Sequence, residues 1–551
     1  MKKKWINIVD YFLVIGIVAC LNVLFAQYFF RIDLTEDNRY SLAPVTKDIL
    51  RNLDEKVYVE VFLAGDMNPG YERLKKTIKE KLQEFKVYSN KGLEFRFVDP
   101  NQIADKKIRE NFYTQLVKKG LHYRYYLEEK GGQKDEKIIF PGALIYYHER
   151  EIPVMFMKGK KMISPEEELN EAVEDVEFGL ISGLRRVTAK KVKNIAFVEG
   201  HGAFDEDEVA DISSSLFENY NVQRIHLSDS TALKPFSVLI IAGPKTAYSE
   251  PEKLKLDQYI MKGGSVLFLI NALNVYKDSL ANGVTYGLPY KLNLEDLLFT
   301  YGLRLNPTLI QDKYSGVIKV QTAADGQEQM LSYPFYPVIY NFSKNPIVKN
   351  LDAILTHFIG TIDTVKAENV KKTPLLFTST DTRIYSSPVQ INLNDLRKNV
   401  ALNKFNAGSL TVGYLLEGNF TSLYKNRPLP IPVKDYLSVS KPAKILLVSD
   451  ADIIKNDYDA QLKKPVPLGF DVNMRYQFSN KDFLLNAIDY LAGEEIVNVR
   501  GKEIKMRPLD KEAVTEGRME WRVINIIAPL VLLILFGILR YYYRKKKYSN
   551  F

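Results

Sequence analysis

Cysteine is almost absent from this 551-residue chain: Cys20 is the single one, and it lies in an apolar run near the N-terminus. The remainder has no disulfide and no cysteine nucleophile, so core packing must hold it together. Histidine is also sparse, and none of the five has the spacing of an H-E-x-x-H zinc site. We expect no metal centre and no cofactor.

Nucleotide-binding and hydrolase motifs are missing as well. Gly243-Pro244-Lys245-Thr246 resembles the end of a Walker A motif, but no glycine stands five residues before Lys245. No G-x-S-x-G nucleophile elbow occurs. The net charge is +9, but no basic helix or aromatic-basic array stands out in the body of the chain. Nucleic-acid binding is therefore not expected.

What the sequence does have is an apolar run at each end. Residues 6–30 and 522–543 are each long enough to cross a hydrocarbon core about 30 Å thick. Trp5 and Tyr28 flank the first run, as aromatic residues do at membrane interfaces. The sequence therefore predicts two transmembrane helices anchored in the lipid bilayer.

Flanking charge predicts the orientation of these helices. Lys2, Lys3 and Lys4 precede the first run, and the basic segment 544–547 follows the second. By the positive-inside rule both termini are cytoplasmic, and the body is periplasmic, on the far side of the inner membrane. The predicted segments are a cytoplasmic N-terminus 1–5, helix 6–30, domains 31–188 and 189–500, linker 501–521, helix 522–543 and a cytoplasmic tail 544–551.

Two alternatives for the N-terminus are weaker. A cleaved signal peptide has a shorter apolar core than this run. Ile17-Val18-Ala19-Cys20 resembles a lipobox, but the apolar residues after Cys20 are unlike the polar ones that normally follow a lipidated cysteine. We interpret the run as an uncleaved anchor.

The first domain, 31–188, reads as β-α-β followed by β-β-α. Ser41 or Thr46 is predicted to cap a short helix, and 137–147 with 151–157 to form a hairpin. A helix opens at Pro165. This order indicates a thioredoxin-like α/β domain, although it lacks the C-x-x-C of redox enzymes and serves only as a scaffold.

The second domain, 189–500, alternates strands and helices, which predicts a mainly parallel, doubly wound α/β sheet. A helix is expected over 204–220. The pattern breaks up over about 274–370, which reads as an insertion, with the region of Pro334 and Pro337 loop-like.

Six candidate ligand-binding residues follow predicted strands. Ligands bind beyond the carboxyl ends of strands in open α/β sheets, and this is where Glu199-Gly200-His201-Gly202 lies. His201, with Glu199 and Asp205, could bind a ligand or metal, or move a proton. The alternative is a tight turn with His201 hydrogen-bonded to a neighbour. Asp450 and Asp452 could bind a cation, or cap the next turn.

Several segments resemble the gliding-motility-associated ABC transporter auxiliary proteins, the GldG type. The segments that carry the resemblance are Asp33-Leu34-Thr35, Arg39-Tyr40-Ser41-Leu42, Phe197-Val198-Glu199-Gly200-His201-Gly202, Val448-Ser449-Asp450-Ala451-Asp452 and 480–491. Nearly the whole length is covered. The resemblance implies a non-enzymatic subunit that works with a separate ABC-type ATPase subunit and a multispanning permease subunit in a Bacteroidetes envelope. It also implies a glutamine-amidotransferase-like second domain, which here lacks the required cysteine.

The expected function is that of an accessory subunit whose periplasmic body binds a substrate or an envelope protein. Two alternatives stay open. One is a membrane-tethered ligand-binding or hydrolytic enzyme that uses Glu199, His201 or Asp450. The other is a pure scaffold of an envelope machine.

Overall fold

The architecture comes from a computed structural model. It describes residues 13, 16–17, 41–65, 67–130, 133–157, 165–188, 192–228, 233–276, 283–321, 328–349, 351–393, 404–459, 464–494 and 518–548. The chain divides into two units, Met1–Lys502 and Glu503–Phe551. The first predicted membrane helix, the motif around Asp33 and most of the linker lie outside the described residues, apart from Leu13, Gly16 and Ile17.

The first part of the larger unit is a mixed α/β sheet with flanking helices. Its elements are α1 (Pro44–Arg51), β1 (Val57–Val61), α2 (Pro69–Tyr88), β2 (Leu93–Phe97), α3 (Lys106–Lys118), β3 (Arg124–Lys130), β4 (Gln133–Ile139), β5 (Gly142–Tyr147), β6 (Arg150–Met155), α4 (Pro165–Glu174) and α5 (Val176–Thr188). Four strands form one sheet in the order β2-β1-β5-β6. The β1–β2 pair is parallel, and β5 is antiparallel to both β1 and β6.

Helix α2 shows why these elements form where they do. Asn68 caps it by accepting from the backbone N–H of Tyr71, and Pro69 is its first residue. Leu74, Ile78 and the other apolar residues of one face are buried against the sheet. Asn68 and Pro69 therefore determine where the helix starts.

Two local predictions in this part differ from the structure. Helix α1 begins at Pro44 without a side-chain cap, because Ala43 holds the N-cap position and the Thr46 hydroxyl donates instead to buried Glu177. The expected hairpin is present as β5 with β6, but its first strand begins at Gly142 and residues 137–139 belong to a second hairpin. Strand β4 pairs back with β3, and β5 pairs with β6, because Phe140 and Pro141 break the run between β4 and β5.

The second part of the same unit begins at β7 and holds the main sheet. Its elements up to the insertion are β7 (Asn194–Glu199), α6 (Ala210–Phe217), β8 (Asn221–His226), β9 (Phe236–Ala242), α7 (Glu250–Met261) and β10 (Ser265–Leu269). The following strands and helix are β11 (Leu273–Val275), β12 (Val284–Pro289), α8 (Glu295–Tyr301), β13 (Leu303–Leu305), β14 (Thr308–Asp312), β15 (Ser315–Gln321), β16 (Glu328–Ile339), β17 (Asn341–Phe342), β18 (Ile354–Leu355), β19 (Ile362–Thr364), β20 (Val370–Phe377), β21 (Thr382–Ser386) and β22 (Val389–Asn392). The last are β23 (Thr411–Gly418), β24 (Ala443–Val448), β25 (Tyr458–Asp459), β26 (Lys464–Pro465), β27 (Phe470–Asp471), β28 (Tyr476–Gln477) and α9 (Asn480–Leu491).

The main sheet has eight strands in the order β17-β20-β23-β24-β10-β9-β7-β8. The five from β24 to β8 are parallel, and the other three are antiparallel. In β9, Ile240 faces the core that includes α6 and α9, while Ile241 faces the core that includes α7 and α8. Helices therefore cover both faces, which explains the unbroken apolar sequence of these strands and confirms a doubly wound sheet.

The insertion folds as short antiparallel strands around an aromatic core that includes Tyr333, Phe335 and Phe358. The region of Pro334 and Pro337, predicted as loop, is the long strand β16. The register shifts where β16 meets β15 near Pro337, and a proline is tolerated at such an irregularity. Strands β21 and β22 pair with β14 and β12, so the inserted module extends past residue 370.

The helix predicted over 204–220 is also shorter than expected. Asp205 and Glu208 form reciprocal side-chain to backbone hydrogen bonds in a turn, and α6 begins only at Ala210. These acids compete with helical backbone bonding at this position.

The smaller unit contains helix α10 (Arg518–Tyr548), with Pro529 inside it. Within it, Asn525–Lys546 is long and apolar enough to cross a membrane, and it is the one such helix among the described residues.

Candidate functional site

The order of the parallel strands creates a topological switch point at the carboxyl ends of the strands of the main sheet. Strand β7 comes first in the chain, yet it lies between β8 and β9, so the direction in which strands are added reverses between β7 and β9. Ligands in open α/β sheets bind beyond the carboxyl ends of strands at this kind of position. The loops that meet there follow Glu199 and Ala242.

Three consecutive residues after β7 have left-handed backbone. Gly200, His201 and Gly202 have φ angles of 86°, 55° and 69°. A Cβ on Gly202 would lie 3.1 Å from the Cβ of Lys245 on the neighbouring loop. The carbonyl of His201 accepts from the backbone N–H groups of Lys245 at 2.6 Å and Thr246 at 3.0 Å. The glycines thus allow the two loops to join closely.

The His201 side chain is held on both sides of its ring. Nδ1 lies 3.1 Å from the carbonyl oxygen of Ala247, and Nε2 lies 3.3 Å from Oε1 of Glu252. The ring stacks on Tyr248 with centroids 3.9 Å apart. The partners of the two ring nitrogens are a carbonyl oxygen and a carboxylate oxygen, both of which are hydrogen-bond acceptors.

Glu252 belongs to the capping box that begins α7. Its Oε2 accepts from the backbone N–H and the hydroxyl of Ser249, at 2.9 and 2.6 Å. Burial opposes its ionisation, but the hydrogen bonds from Ser249 and the proximity of His201 outweigh burial and lower the pKa of Glu252. The helix start therefore presents an ionised carboxylate to His201.

Glu199 is engaged by the next strand. Arg224 on β8 donates to it through Nε, and Nε2 of His226 lies 3.4 Å from its other oxygen. Arg224 also donates to the carbonyl of Phe204 at 2.9 Å. Glu199 therefore joins the end of β7 to β8 and to the turn that follows.

Asp450 is fully buried beyond β24. Its Oδ2 accepts from the backbone N–H of His357 at 2.9 Å, and its Oδ1 accepts from that of Asp452 at 2.8 Å. Asp452 begins a single 3₁₀ turn, Asp452–Ile454. Asp450 thus hydrogen-bonds to the first residue of this turn and joins the main sheet to the inserted module.

The charge of Asp452 acts on two tyrosines of the module. Burial, reinforced by this charge, raises the pKa of Tyr290 to about 12 and also raises that of Tyr336. The Tyr290 hydroxyl donates to Asn274 at 3.0 Å. Both phenols therefore stay protonated at neutral pH and are available as hydrogen-bond donors.

The two predicted residue groups lie on one sheet edge but do not meet. Strands β9 and β10 separate β7 from β24, which places the groups about 14 Å apart at the usual strand spacing. In the part of the chain that the structure describes, no three His, Cys, Asp or Glu side chains are placed to hold a metal ion. Each group has its own internal partners.

Sequence reasoning missed the residues that position His201 and Glu199. Of these, Arg224, His226 and Tyr248 carry no local signal. The capping box Ser249-x-x-Glu252 is readable from the sequence, but its contact with His201 is not. Tyr248 is 1% exposed, and its hydroxyl has no hydrogen-bond partner among the described residues.

Comparison with known families gives two matches. Residues 192–487 match the model described as "ABC-type uncharacterized transport system", which takes in the main sheet from β7 and most of α9. Residues 36–146 match a domain of unknown function.

Two individual proteins are also similar. An uncharacterized protein of Borreliella burgdorferi is 22% identical over 565 residues, covering 99% of this chain and 100% of that protein. The solved mmIFT52 N-terminal domain has a TM-score of 0.32 and 13% identity, over 55% of this chain and 98% of its own.

Proposed function

Since this chain belongs to the family described as an ABC-type uncharacterized transport system, we propose that it is a non-catalytic, membrane-anchored accessory subunit of an ABC transporter. The family match carries the proposal, because it spans the whole doubly wound sheet and more than half of the chain. The missing Walker A motif supports a separate ATPase subunit, and a multispanning permease subunit would provide the translocation path.

The membrane part of the proposal has two anchors. The apolar helix Asn525–Lys546 supports the second. The first, 6–30, rests on sequence alone. With basic residues at both outer ends, the termini would be cytoplasmic and the body periplasmic. Gly16 and Gly537 would allow close packing against permease helices.

Finer assignments of fold and role belong to the same proposal. The order β2-β1-β5-β6, with β5 antiparallel, supports a thioredoxin-like scaffold for 31–188. The five parallel strands support an amidotransferase-like scaffold for 189–500. Association with gliding motility in Bacteroidetes rests on the sequence segments that resemble that family.

A substrate or envelope partner would bind at the edge of the main sheet. The proposed ligand-binding residues are Glu199, Gly200, His201, Gly202, Asp450 and Asp452. The chain reversal between β7 and β9 supports the first four. A hydrolytic role draws no support from the geometry, because His201 and Asp450 are held by internal partners at positions separated by two strands.

The decisive experiment is purification of the tagged full chain from its native membrane in mild detergent. An ATPase and a multispanning membrane protein should co-purify stoichiometrically, and a charge substitution in the middle of Asn525–Lys546 should reduce their recovery. Reporter fusions near residues 200 and 400 should be active on the periplasmic side. Purification without either subunit, or cytoplasmic reporter activity, would contradict the proposal.

A further inference from the structure

A groove lies beside the four-stranded sheet β2-β1-β5-β6, and none of the candidate ligand-binding residues of the main sheet lines it. It has a volume of about 710 Å³ and runs between α2 and the end of β2. The lining residues are Glu72, Arg73, Lys75, Lys76, Lys79 and Phe97. Four of the six are cationic and one is an aromatic ring.

Three of the four cations lack an anionic partner. Lys75 lies 3.2 Å from Glu72 and is neutralised by it. Arg73, Lys76 and Lys79 are exposed and make no ion pair with any described residue. Their spacing of three places them on one stripe of α2. The groove therefore presents three uncompensated positive charges in a row, which favours an anionic occupant.

The other wall of the groove is the outer edge of strand β2. Strand β2 is an edge strand of this sheet, and β1 is its one neighbour among the described strands. The backbone hydrogen bonds Val57 N–H to Gly92 and Val98 N–H to Val61 show which residues face β1. Successive residues of a parallel strand direct their N–H and C=O groups to opposite sides of the strand. Because Gly92 and Val98 bond to β1, the N–H and C=O groups of Phe95 and Phe97 point away from β1. An edge of this kind pairs readily with another extended chain.

The side chains along this edge supply an apolar surface. Phe95 and Phe97 are half-buried and in edge-to-face contact, with centroids 6.2 Å apart. A strand laid beside β2 would place alternate side chains on this face. Apolar residues of an added strand would meet the rings, and acidic residues would reach the stripe on α2.

We propose that the groove between α2 and β2 binds an extended, acidic peptide segment of a partner protein, which adds to the sheet beside β2. Main-chain hydrogen bonds to Phe95 and Phe97 provide affinity for any extended segment, and the stripe of Arg73, Lys76 and Lys79 selects acidic ones. This interaction is independent of the ligand-binding residues on the main sheet and of the transporter role.

The strand edge distinguishes a peptide from other anions. A phosphate or a lipid headgroup would satisfy the cations but leave the outward backbone groups of Phe95 and Phe97 unused. An acidic strand uses the charges, the backbone and the rings together. The structure thus favours a peptide, and a lipid surface becomes an outcome that the test can detect.

The test uses the full-length protein in neutral detergent and a fluorescent peptide of alternating Glu and Val. We expect saturable binding that weakens with salt. The triple variant Arg73→Glu/Lys76→Glu/Lys79→Glu should weaken binding about tenfold or more. The matched control Lys107→Glu/Lys291→Glu/Lys434→Glu makes the same charge change at exposed positions elsewhere and should stay within about twofold.

Two further measurements test strand addition on the unchanged protein. A peptide of the same sequence, N-methylated at alternate residues, should bind about tenfold more weakly or worse, because it cannot pair along one edge. The amide protons of Phe95 and Phe97 should gain protection from exchange when the normal peptide binds.

Equal binding of the N-methylated peptide, unchanged exchange at these amides, or equal weakening by both triple variants would overturn the proposal. Preferential binding to anionic phosphatidylglycerol over neutral phosphatidylcholine vesicles that the triple variant loses and the acidic peptide does not displace would overturn it too, in favour of a lipid surface.

Discussion

Nε2 of His201 lies 3.3 Å from Oε1 of Glu252, a residue 51 positions further along the chain. This contact joins the loop after β7 to the first turn of α7, and it holds His201 in a left-handed backbone conformation with φ of 55°. Such a conformation costs a residue with a Cβ about 1–2 kcal/mol. The contacts of the side chain offset that cost.

Substitutions at His201 should separate the backbone cost from the side-chain contacts. His201→Ala and His201→Gly both lose the hydrogen bonds, but glycine adopts the positive φ without strain. We expect the alanine variant to be about 1 kcal/mol less stable than the glycine variant. Thermal unfolding followed by circular dichroism measures the difference. Lys245 does not have a positive φ, so there the glycine variant Lys245→Gly should be less stable than the alanine variant Lys245→Ala.

Acid should destabilise the protein partly through Glu250. A hydrogen bond from Lys253, whose side chain is 1% exposed, leads the contacts that lower the pKa of Glu250 to about 2 from 4.5. Because the folded-state pKa is depressed, this contribution is fully present above pH 4.5 and is lost as the pH falls towards 2.

The Glu250→Gln variant should therefore lose stability less steeply between these pH values than the wild type does. Unfolding midpoints measured along this pH range test the prediction. Parallel curves for the two proteins would contradict it.

Removal of Asp257 should loosen the segment that follows β23. This carboxylate is fully buried and accepts from the Ser422 hydroxyl at 2.7 Å, the Leu423 N–H at 3.0 Å and the Tyr301 hydroxyl at 2.8 Å. Asp257→Ala leaves three buried donors without an acceptor, which should cost about 3–5 kcal/mol.

Denaturant unfolding should show this loss, and trypsin should cleave faster after Lys425 in the loosened segment. The exposed acid Glu368 provides the control, since Glu368→Ala should change stability by less than about 0.5 kcal/mol. A small effect of Asp257→Ala would mean that the three donors find other acceptors.

A double-mutant cycle should detect strong coupling between Arg185 and Glu494. Arg185, on α5, pairs with Glu494, which follows α9, and Lys193 lies 2.9 Å from the same carboxylate. Both members of the pair are largely buried. Arg185→Met and Glu494→Gln should show a coupling energy of about 1–3 kcal/mol.

The exposed pair Lys106–Glu110, with 3.9 Å between its charged atoms, is the comparison for this cycle. Its coupling energy should be below about 0.5 kcal/mol. Similar values for the two pairs would show that burial adds nothing to the Arg185–Glu494 contact.

A charge in the apolar helix should impair its insertion. Leu533 lies near the middle of Asn525–Lys546, where an arginine disfavours insertion by about 2.5–3.5 kcal/mol. Leu533→Arg should shift protein from the carbonate-resistant membrane fraction to the soluble fraction. Leu533→Ile keeps the hydropathy and should behave as the wild type does. The test requires that the first anchor be removed or replaced, because that anchor alone could retain the chain.

Local patterns in the sequence were enough to predict much of the fold. Helix α9 and strand β24 follow such patterns, because a one-faced apolar period and a short apolar run between turn residues each have one favourable local structure. Predictions failed where a distant partner decides. Strand β16 runs through Pro334 and Pro337 because β15 and β18 pair with it, and no local signal carries that pairing.

The sequence by itself determined the apolar ends, the alternation of strands and helices, and the positions of Glu199, His201 and Asp450 at or just beyond the ends of strands. These properties depend on neighbours a few residues apart. Only the tertiary structure decided that β7 lies between β8 and β9, that His201 meets Glu252, and that strands β9 and β10 separate Asp450 from His201. Contacts between residues far apart in the chain depend on strand order and packing, and local periodicity carries no information about either.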